Sequence, residues 1–197
     1  MFYFIEYLFI FLIGVSIGSF INVIIIRLPK NQSVIHPRSK CVKCKKNILW
    51  YDNIPIISWL ILKGKCRFCQ ESFSISYLLI ELLLGLIFLY IRFQNQSLYE
   101  GLSIIQNNLL SYTLVTILIP LLILDIKYFW LPSSITHLGI LIGSIFIAIY
   151  SYFLNNLIFL NNFLAGILGF LIFKALSSIG KFILKKPALG GGDAKLA

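Results

Sequence analysis

Long apolar runs dominate the hydrophobicity pattern of this chain, and most polar residues collect in one segment of its first half. A helix needs about 20 apolar residues to cross a bilayer core. Five runs approach that length, at residues 4–26, 75–91, 109–124, 135–154 and 163–179. None shows the ten-residue alternation of a membrane-spanning β-strand. The pattern therefore predicts an all-α integral membrane protein with about five transmembrane helices.

The amino-acid composition is also typical of a membrane protein. Of its 197 residues, 59% are hydrophobic and 12% are charged, and the mean hydropathy is +0.91, outside the range of soluble domains. The first run contains Glu6, has no basic segment before it and ends without a small-residue cleavage site before Arg27. We expect it to be a retained membrane anchor rather than a signal peptide.

The positive charges indicate the orientation of the helices. The net charge is +10, and ten of the seventeen Lys and Arg residues lie between Arg27 and Arg67. Six more fall near helix ends that an alternating path places on the same side, whereas Arg92 lies opposite. The positive-inside rule then predicts a cytoplasmic loop at residues 27–73 and an N-terminus outside. We interpret the charge as a topology signal and expect no nucleic-acid partner.

Four cysteines form two Cys-x-x-Cys pairs in this loop. The pairs are CVKC and CRFC, with 21 residues between them. Two such turns can supply the tetrahedral set of four thiolates that Zn²⁺ favours, and the basic residues around them would favour the thiolate form. We expect zinc to hold together a loop too small to form its own core. The four predicted ligands are Cys41, Cys44, Cys66 and Cys69.

Two other interpretations of the cysteine loop stay open. The cysteines could form redox-active dithiol pairs. Alternatively, a basic loop with aromatic residues could be a nucleic-acid-binding zinc ribbon, although Trp and Tyr are also expected at a membrane interface. Those aromatic residues are Trp50, Tyr51, Trp59 and Phe68.

Two aspartates are candidate catalytic residues. Asp125 follows the apolar run LVTILIPLLIL directly, and Asp193 lies in LGGGDAKLA. Counting membrane crossings places both on the cytoplasmic face. Ionisable groups at membrane ends are candidates for function. Two carboxylates that approach closely share a proton, so that one can activate water while the other polarises a scissile carbonyl, as in aspartic proteases.

Each aspartate also has a simpler interpretation. Gly190 and Gly192 would let a backbone approach Asp193 closely, but the same glycines could form a turn before a helix that Asp193 caps. Asp125 could instead be an interfacial charge paired with Lys127.

Three polar or small positions inside the apolar runs have structural interpretations. Gly14 and Gly18 form a GxxxG pair, and Asn22 lies deep in the first run, so we expect close helix packing and a hydrogen bond between helices. Glu81 could pair with a cation of the loop or line the active site.

Several segments together resemble one family. The stretch GVSIGSFINVIIIRLP is similar to an opening pattern GxxxGSFxNVxxxRLP, and PRSKCVKC followed by WYDNIPIISWLILKGKCRFC is similar to a zinc-loop signature. LILDIKYFWLP and LGGGDAKLA resemble segments that carry two catalytic aspartates. The chain thus resembles the type IV prepilin peptidases, membrane aspartyl proteases of the GxGD type.

The resemblance implies a bifunctional enzyme of the bacterial inner membrane with its active site facing the cytoplasm. Asp125 and Asp193 would cleave prepilin or pseudopilin leader peptides after a glycine. The loop would be associated with N-methylation of the new terminal residue by S-adenosylmethionine. The implied regions are a first helix (1–26), the cysteine loop (27–73) and a peptidase region (74–197).

The family usually continues beyond GxGDxKL with further helices, so we expect a C-terminally short member. Two alternatives follow from other classes of protein. One is a non-catalytic relic whose zinc loop binds a partner, and the other is a small transporter with Asp125 as an ion site.

Overall fold

The computed structural model describes residues 2–96, 102–154, 164–169, 171–172 and 175. This part of the chain is helical, with two isolated β-bridges and no β-strand. The helices are α1 (Phe2–Arg27), α2 (Ile57–Ile61), α3 (Ser76–Gln96), α4 (Leu102–Tyr128) and α5 (Ser133–Leu154). Two short 3-10 turns, Leu28–Lys30 and Trp50–Asn53, lie in the segment between α1 and α2.

Three helices within the described ranges are long and apolar enough to cross a membrane. They are Tyr3–Lys30, Ser76–Gln94 and Asn108–Tyr128, and they confirm the first three predicted runs. α5 corresponds to the fourth predicted run. Among the described residues, its apolar stretch Ser133–Phe146 is shorter than a membrane-spanning helix. In the fifth run the described residues 164–169, 171–172 and 175 are helical, and the other residues of that run lie outside the described ranges.

α1 and α3 pack against each other through glycines. A Cβ atom added to Gly14 would lie 2.8 Å from the carbonyl oxygen of Leu84, and one added to Gly18 would lie 2.7 Å from the Cα of Glu81. From the other side, a Cβ on Gly85 would lie 2.6 Å from Val15. These distances leave no room for a side chain, which confirms the predicted close packing of the GxxxG pair.

Replacing Gly18 by Ala is expected to destabilise the α1–α3 pair by about 1–3 kcal/mol, because the new methyl group meets backbone that cannot move aside. Helix propensity alone would instead predict that replacing Gly by Ala stabilises a helix. Thermal unfolding in detergent checks this, with Ser16→Ala on the exposed face of α1 as the control. An unchanged or higher melting temperature for Gly18→Ala would contradict the packing.

Polar contacts also join α1 to α3. Near the loop, the Asn22 side chain is buried and its Nδ2 donates a hydrogen bond to the carbonyl of Tyr77 at 3.0 Å. This confirms the predicted hydrogen bond between helices. At the other end of the pair, Arg92 Nε donates to Glu6 Oε1 at 2.6 Å. The two helices are therefore fixed in register at both ends.

The chain forms two compact units, Met1–Thr116 and Ile117–Ala197, with the boundary inside α4. The buried core of the first unit includes Ile21, Leu84 and Phe88, and the Phe88 ring stacks on Tyr112 with centroids 4.5 Å apart. Many large apolar side chains of α1 and α3 face outward, as expected for helices that meet lipid tails.

Candidate functional site

The two cysteine pairs lie in turns of the same shape. Segments 40–47 and 65–72 each close with an antiparallel bridge, Lys40 to Asn47 and Lys65 to Ser72. In each turn the amide of the first cysteine donates to the carbonyl five residues later. The residue after the second cysteine is left-handed in both, with φ of 59° at Lys45 and 57° at Gln70. The loop therefore contains two copies of one eight-residue turn.

Together the turns bring four thiols to one point. The four Sγ atoms lie within 4.8 Å of one another. The Sγ atoms of Cys41 and Cys69 are 3.6 Å apart, and those of Cys44 and Cys66 are 4.0 Å apart. A tetrahedral zinc ion with Zn–S bonds of about 2.3 Å separates its sulfurs by about 3.8 Å. The residues thus fit a single metal ion and are consistent with zinc, as the spacing predicts.

The thiols differ in acidity. A hydrogen bond from the backbone amide of Cys44 is the largest of the effects that lower the pKa of Cys41 to about 6. At Cys69 the amide of Glu71 lowers the pKa, but burial and the three other thiols outweigh it and raise the pKa to about 11. One thiolate is thus readily formed at neutral pH. A divalent cation must displace the remaining protons, so its affinity increases with pH.

An ion pair connects the second cysteine turn to the 3-10 turn at residues 50–53. Arg67 donates from Nε and Nη2 to the two carboxylate oxygens of Asp52, at 2.8 Å and 2.6 Å. The Asp52 side chain is only 7% exposed. These hydrogen bonds lower the pKa of Asp52. The pair therefore stabilises the loop above the ordinary carboxyl pKa of about 4 and loses this effect as the pH falls through the lowered value.

Replacing Arg67 by Gln is expected to loosen the loop, because the Asp52 carboxylate would be left buried without its cation. We expect several-fold faster loss of metal to a chelator, measured by absorbance of a zinc dye. The control is Lys43→Gln, which breaks the exposed pair between Lys43 and Glu71, where little effect is expected. Equal rates for the two variants would contradict this role.

A cavity of about 210 Å³ lies between α1, the beginning of α3 and the cysteine loop. We call it the loop cavity. Its walls combine apolar side chains with charged groups of both signs. The charged and amide residues that line it are Arg27, Lys40, Lys65, Asp52, Glu81, Asn22 and Asn53.

Glu81 occupies an unusual position in the wall of the loop cavity. Its side chain accepts a hydrogen bond at Oε2 from the backbone amide of Ile56, at 2.8 Å, and the residue is 7% exposed. Ile56 has a φ of 61°, a strained conformation for a β-branched residue. Within the described ranges no Lys or Arg forms an ion pair with Glu81. Of the two predicted roles, the structure thus excludes the ion pair in this part of the chain.

Asp125 lies in the last turn of α4, where its side chain is exposed. The helix ends at Tyr128, and the next residue, Phe129, is left-handed with its amide donating to the Asp125 carbonyl at 2.8 Å. No ion pair joins Asp125 to Lys127 in the described chain. The predicted partners Asp193, Gly190 and Gly192 lie outside the described residues, so the pairing of the two aspartates stays a prediction.

Sequence reasoning missed the loop cavity and the hydrogen bond between Ile56 and Glu81. The sequence does single out Asn22 and Glu81 as polar residues within apolar runs. Their position facing one cavity follows from the antiparallel pairing of α1 and α3, which places the end of one run beside the beginning of the next.

The fold and site define a class: a helical membrane protein with a four-cysteine metal loop and an aspartate at the end of a membrane-length helix. Comparison with known families agrees. Residues 12–94 match the bacterial peptidase A24 N-terminal domain, and residues 112–197 match the type IV leader peptidase family. The chain belongs to the type IV leader peptidase family, which confirms the resemblance.

Named relatives cover nearly the whole chain. It is 37% identical over 188 residues to a prepilin leader peptidase/N-methyltransferase of Myxococcus xanthus, covering 95% of this chain but 53% of that protein. A protein of the same name from Vibrio cholerae is 31% identical, covering 97% and 76% of the two chains. A type 4 prepilin-like proteins leader peptide-processing enzyme of Escherichia coli is 35% identical, covering 93% and 71%.

The chain therefore spans about half the length of the Myxococcus relative. No solved structure matches it.

Proposed function

We propose that this chain is the leader peptidase its relatives are named for, an aspartic endopeptidase that removes the leader of prepilin-like proteins. The observation that carries the proposal is Asp125 in the last turn of a membrane-length helix, inside the segment that matches the type IV leader peptidase family. The family match and the names of the relatives favour an enzyme over the non-catalytic alternative.

The proposed chemistry uses two carboxylates that share one proton. Asp125 and Asp193 would hold a water molecule between them. The ionised carboxylate takes a proton from the water as it attacks the peptide carbonyl, while the protonated partner donates a hydrogen bond to the carbonyl oxygen. The proton taken from water would then pass to the leaving nitrogen as the carbon–nitrogen bond breaks. Gly190 and Gly192 would let the substrate backbone lie close to Asp193, because neither carries a side chain.

The proposed topology follows the distribution of charge. Five membrane-spanning helices with the N-terminus outside place the cysteine loop and Asp125 on the cytoplasmic side of a bacterial inner membrane. The proposed regions remain the first helix (1–26), the loop (27–73) and the peptidase region (74–197). Prepilin or pseudopilin leaders would reach the active site at this membrane surface.

The proposed metal is Zn²⁺ in a structural role. Four sulfur ligands complete a tetrahedral shell and leave no open position for a substrate. The ion would hold the two cysteine turns together and take no part in peptide cleavage.

The second proposed activity is N-methylation of the terminal residue exposed by cleavage. It is supported by the names of the relatives. S-adenosylmethionine would supply the methyl group as a sulfonium donor.

Cleavage and methylation can be measured together on one substrate. The gene product, with whatever sequence follows residue 197 in its reading frame, is mixed in detergent with a purified prepilin and S-adenosylmethionine. Mass spectrometry of the pilin N-terminus should show loss of the leader and one added methyl group. An intact leader after long incubation with zinc-loaded, folded protein would overturn the peptidase proposal.

A further inference from the structure

The Glu81 carboxylate is buried and forms no ion pair with a described basic side chain. It is almost completely buried, and a buried carboxylate is costly unless a cation or several hydrogen bonds compensate it. The hydrogen bond from Ile56 occupies one lone pair of Oε2, and the Ser19 hydroxyl contributes another contact. No basic side chain of the described residues pairs with it. The open space next to this carboxylate is the loop cavity.

The opposite charge is supplied by the cysteine turns. Lys40 and Lys65 occupy the same position in the two turns, directly before the first cysteine, and both line the loop cavity. Neither forms an ion pair within the described ranges. The cavity thus carries an unpaired carboxylate in one wall and two unpaired ammonium groups in another, whereas the other charged groups of its lining, Arg27 and Asp52, already form hydrogen bonds outside this set. This distribution suits a ligand that itself carries both charges, such as an amino acid.

The apolar walls and the size of the loop cavity suit a larger group attached to that amino acid. Val23, Ile48, Leu62 and Phe73 contribute apolar surface to the cavity. Its 210 Å³ exceeds the roughly 150 Å³ of an engineered cavity that holds benzene. A flat heterocycle can therefore be accommodated next to the charged groups.

We propose that the loop cavity binds S-adenosylmethionine and that Glu81 holds the ammonium group of its methionine part. This inference rests on the proposed methyl-transfer function. The ammonium group is the partner of Glu81 because it has three N–H donors for the carboxylate oxygens, whereas the sulfonium centre has none. Lys40 and Lys65 would hold the ligand's carboxylate. The metal ion would then serve binding indirectly, since it fixes the two turns that carry these lysines.

Binding can be measured without any turnover. Zinc-loaded full chain in detergent is titrated with S-adenosylmethionine by equilibrium dialysis, without prepilin. Glu81→Gln keeps an acceptor for the Ile56 amide but removes the charge, and we expect at least tenfold weaker binding. S-adenosylhomocysteine keeps the ammonium group and lacks the sulfonium charge. Glu81→Gln should therefore weaken the binding of S-adenosylhomocysteine by the same factor. Methylthioadenosine lacks the amino-acid part, so it should bind the wild-type protein and Glu81→Gln with the same weak affinity.

Matched controls exist for each charge. Glu71→Gln removes an exposed carboxylate that does not line the cavity, and binding should be unchanged. Should Glu81→Gln fail to fold, Lys40→Gln tests the same cavity from another wall. Its control is Lys45→Gln in the same turn, because a glutamine occupies the equivalent left-handed position at Gln70.

The outcomes separate this inference from the proposed function. Wild-type affinity for S-adenosylmethionine in folded Glu81→Gln, or in Lys40→Gln if the former does not fold, overturns the cavity as the binding site while methyl transfer stands. Wild-type protein that binds no S-adenosylmethionine overturns both. Leader cleavage in either case reports on the peptidase proposal alone.

Discussion

Replacing Asp125 by Asn is expected to lower the rate of leader cleavage by about 10³-fold or more. Loss of a positioned general acid or base typically removes 10²–10⁴-fold of rate, and the amide can neither take a proton from water nor share one with Asp193. Asn has nearly the same shape as Asp, and the Asp125 side chain is exposed without an ion pair in the described chain. The fold should therefore be unaffected. Release of the leader, followed on gels over time, measures the effect.

Lys127→Gln is the matched control for Asp125→Asn. Lys127 is also exposed in the last turn of α4 and has no assigned role, so cleavage should continue at the wild-type rate. Asp193→Asn should match the loss seen with Asp125→Asn if the two carboxylates act as one unit. Metal content should stay the same in all these variants. Unimpaired cleavage by Asp125→Asn would overturn the aspartic mechanism.

Replacing Cys41 by Ser is expected to weaken metal binding by more than 100-fold. Mutation of residues that only hydrogen-bond to metal ligands typically lowers metal affinity by 10–100-fold. Cys41 is itself a buried member of the four-thiol cluster, so its loss should have a larger effect. The turns at residues 40–47 and 65–72 should then separate, because their small segment has no apolar core to hold it. Zinc content of the purified protein, measured by mass spectrometry, checks the loss.

Val42→Ala provides the control for Cys41→Ser. Val42 lies between the two cysteines of the first turn, and its side chain is 75% exposed, so metal content should stay at one ion per chain. Methylation should fall further than cleavage in Cys41→Ser, because the proposed methyl-donor site is built on the cysteine turns and the peptidase site is not. Full metal content in Cys41→Ser would contradict the four-thiol site.

Features that depend on local spacing could be predicted from the sequence. Two Cys-x-x-Cys pairs suffice to predict a metal cluster, because each turn is closed by hydrogen bonds within eight residues. Likewise, Gly14 and Gly18 lie one helical turn apart, so their shared face follows from helix geometry. The first three apolar runs became helices of membrane length for the same reason.

Contacts that depend on the path of the loop could not be predicted. Glu81 meets Ile56 only because the loop returns to the beginning of α3 and places a strained backbone amide there. No periodicity in the sequence encodes that return. For Asp125 and Asp193 the charge pattern predicts a shared membrane face, but two apolar runs separate them, so the sequence does not give the distance between their carboxylates.

The contact between Gly18 and Glu81 links membrane packing to chemistry at the loop. The missing side chain at Gly18 allows the backbone of α3 to approach α1 directly at Glu81. The spacing of the two helix axes therefore sets how deep the carboxylate lies beneath the loop. A methyl group added at Gly18 would displace Glu81 without changing any charge. Affinity for the proposed methyl donor should accordingly depend on the distance between the two helices as well as on the residues that touch this ligand.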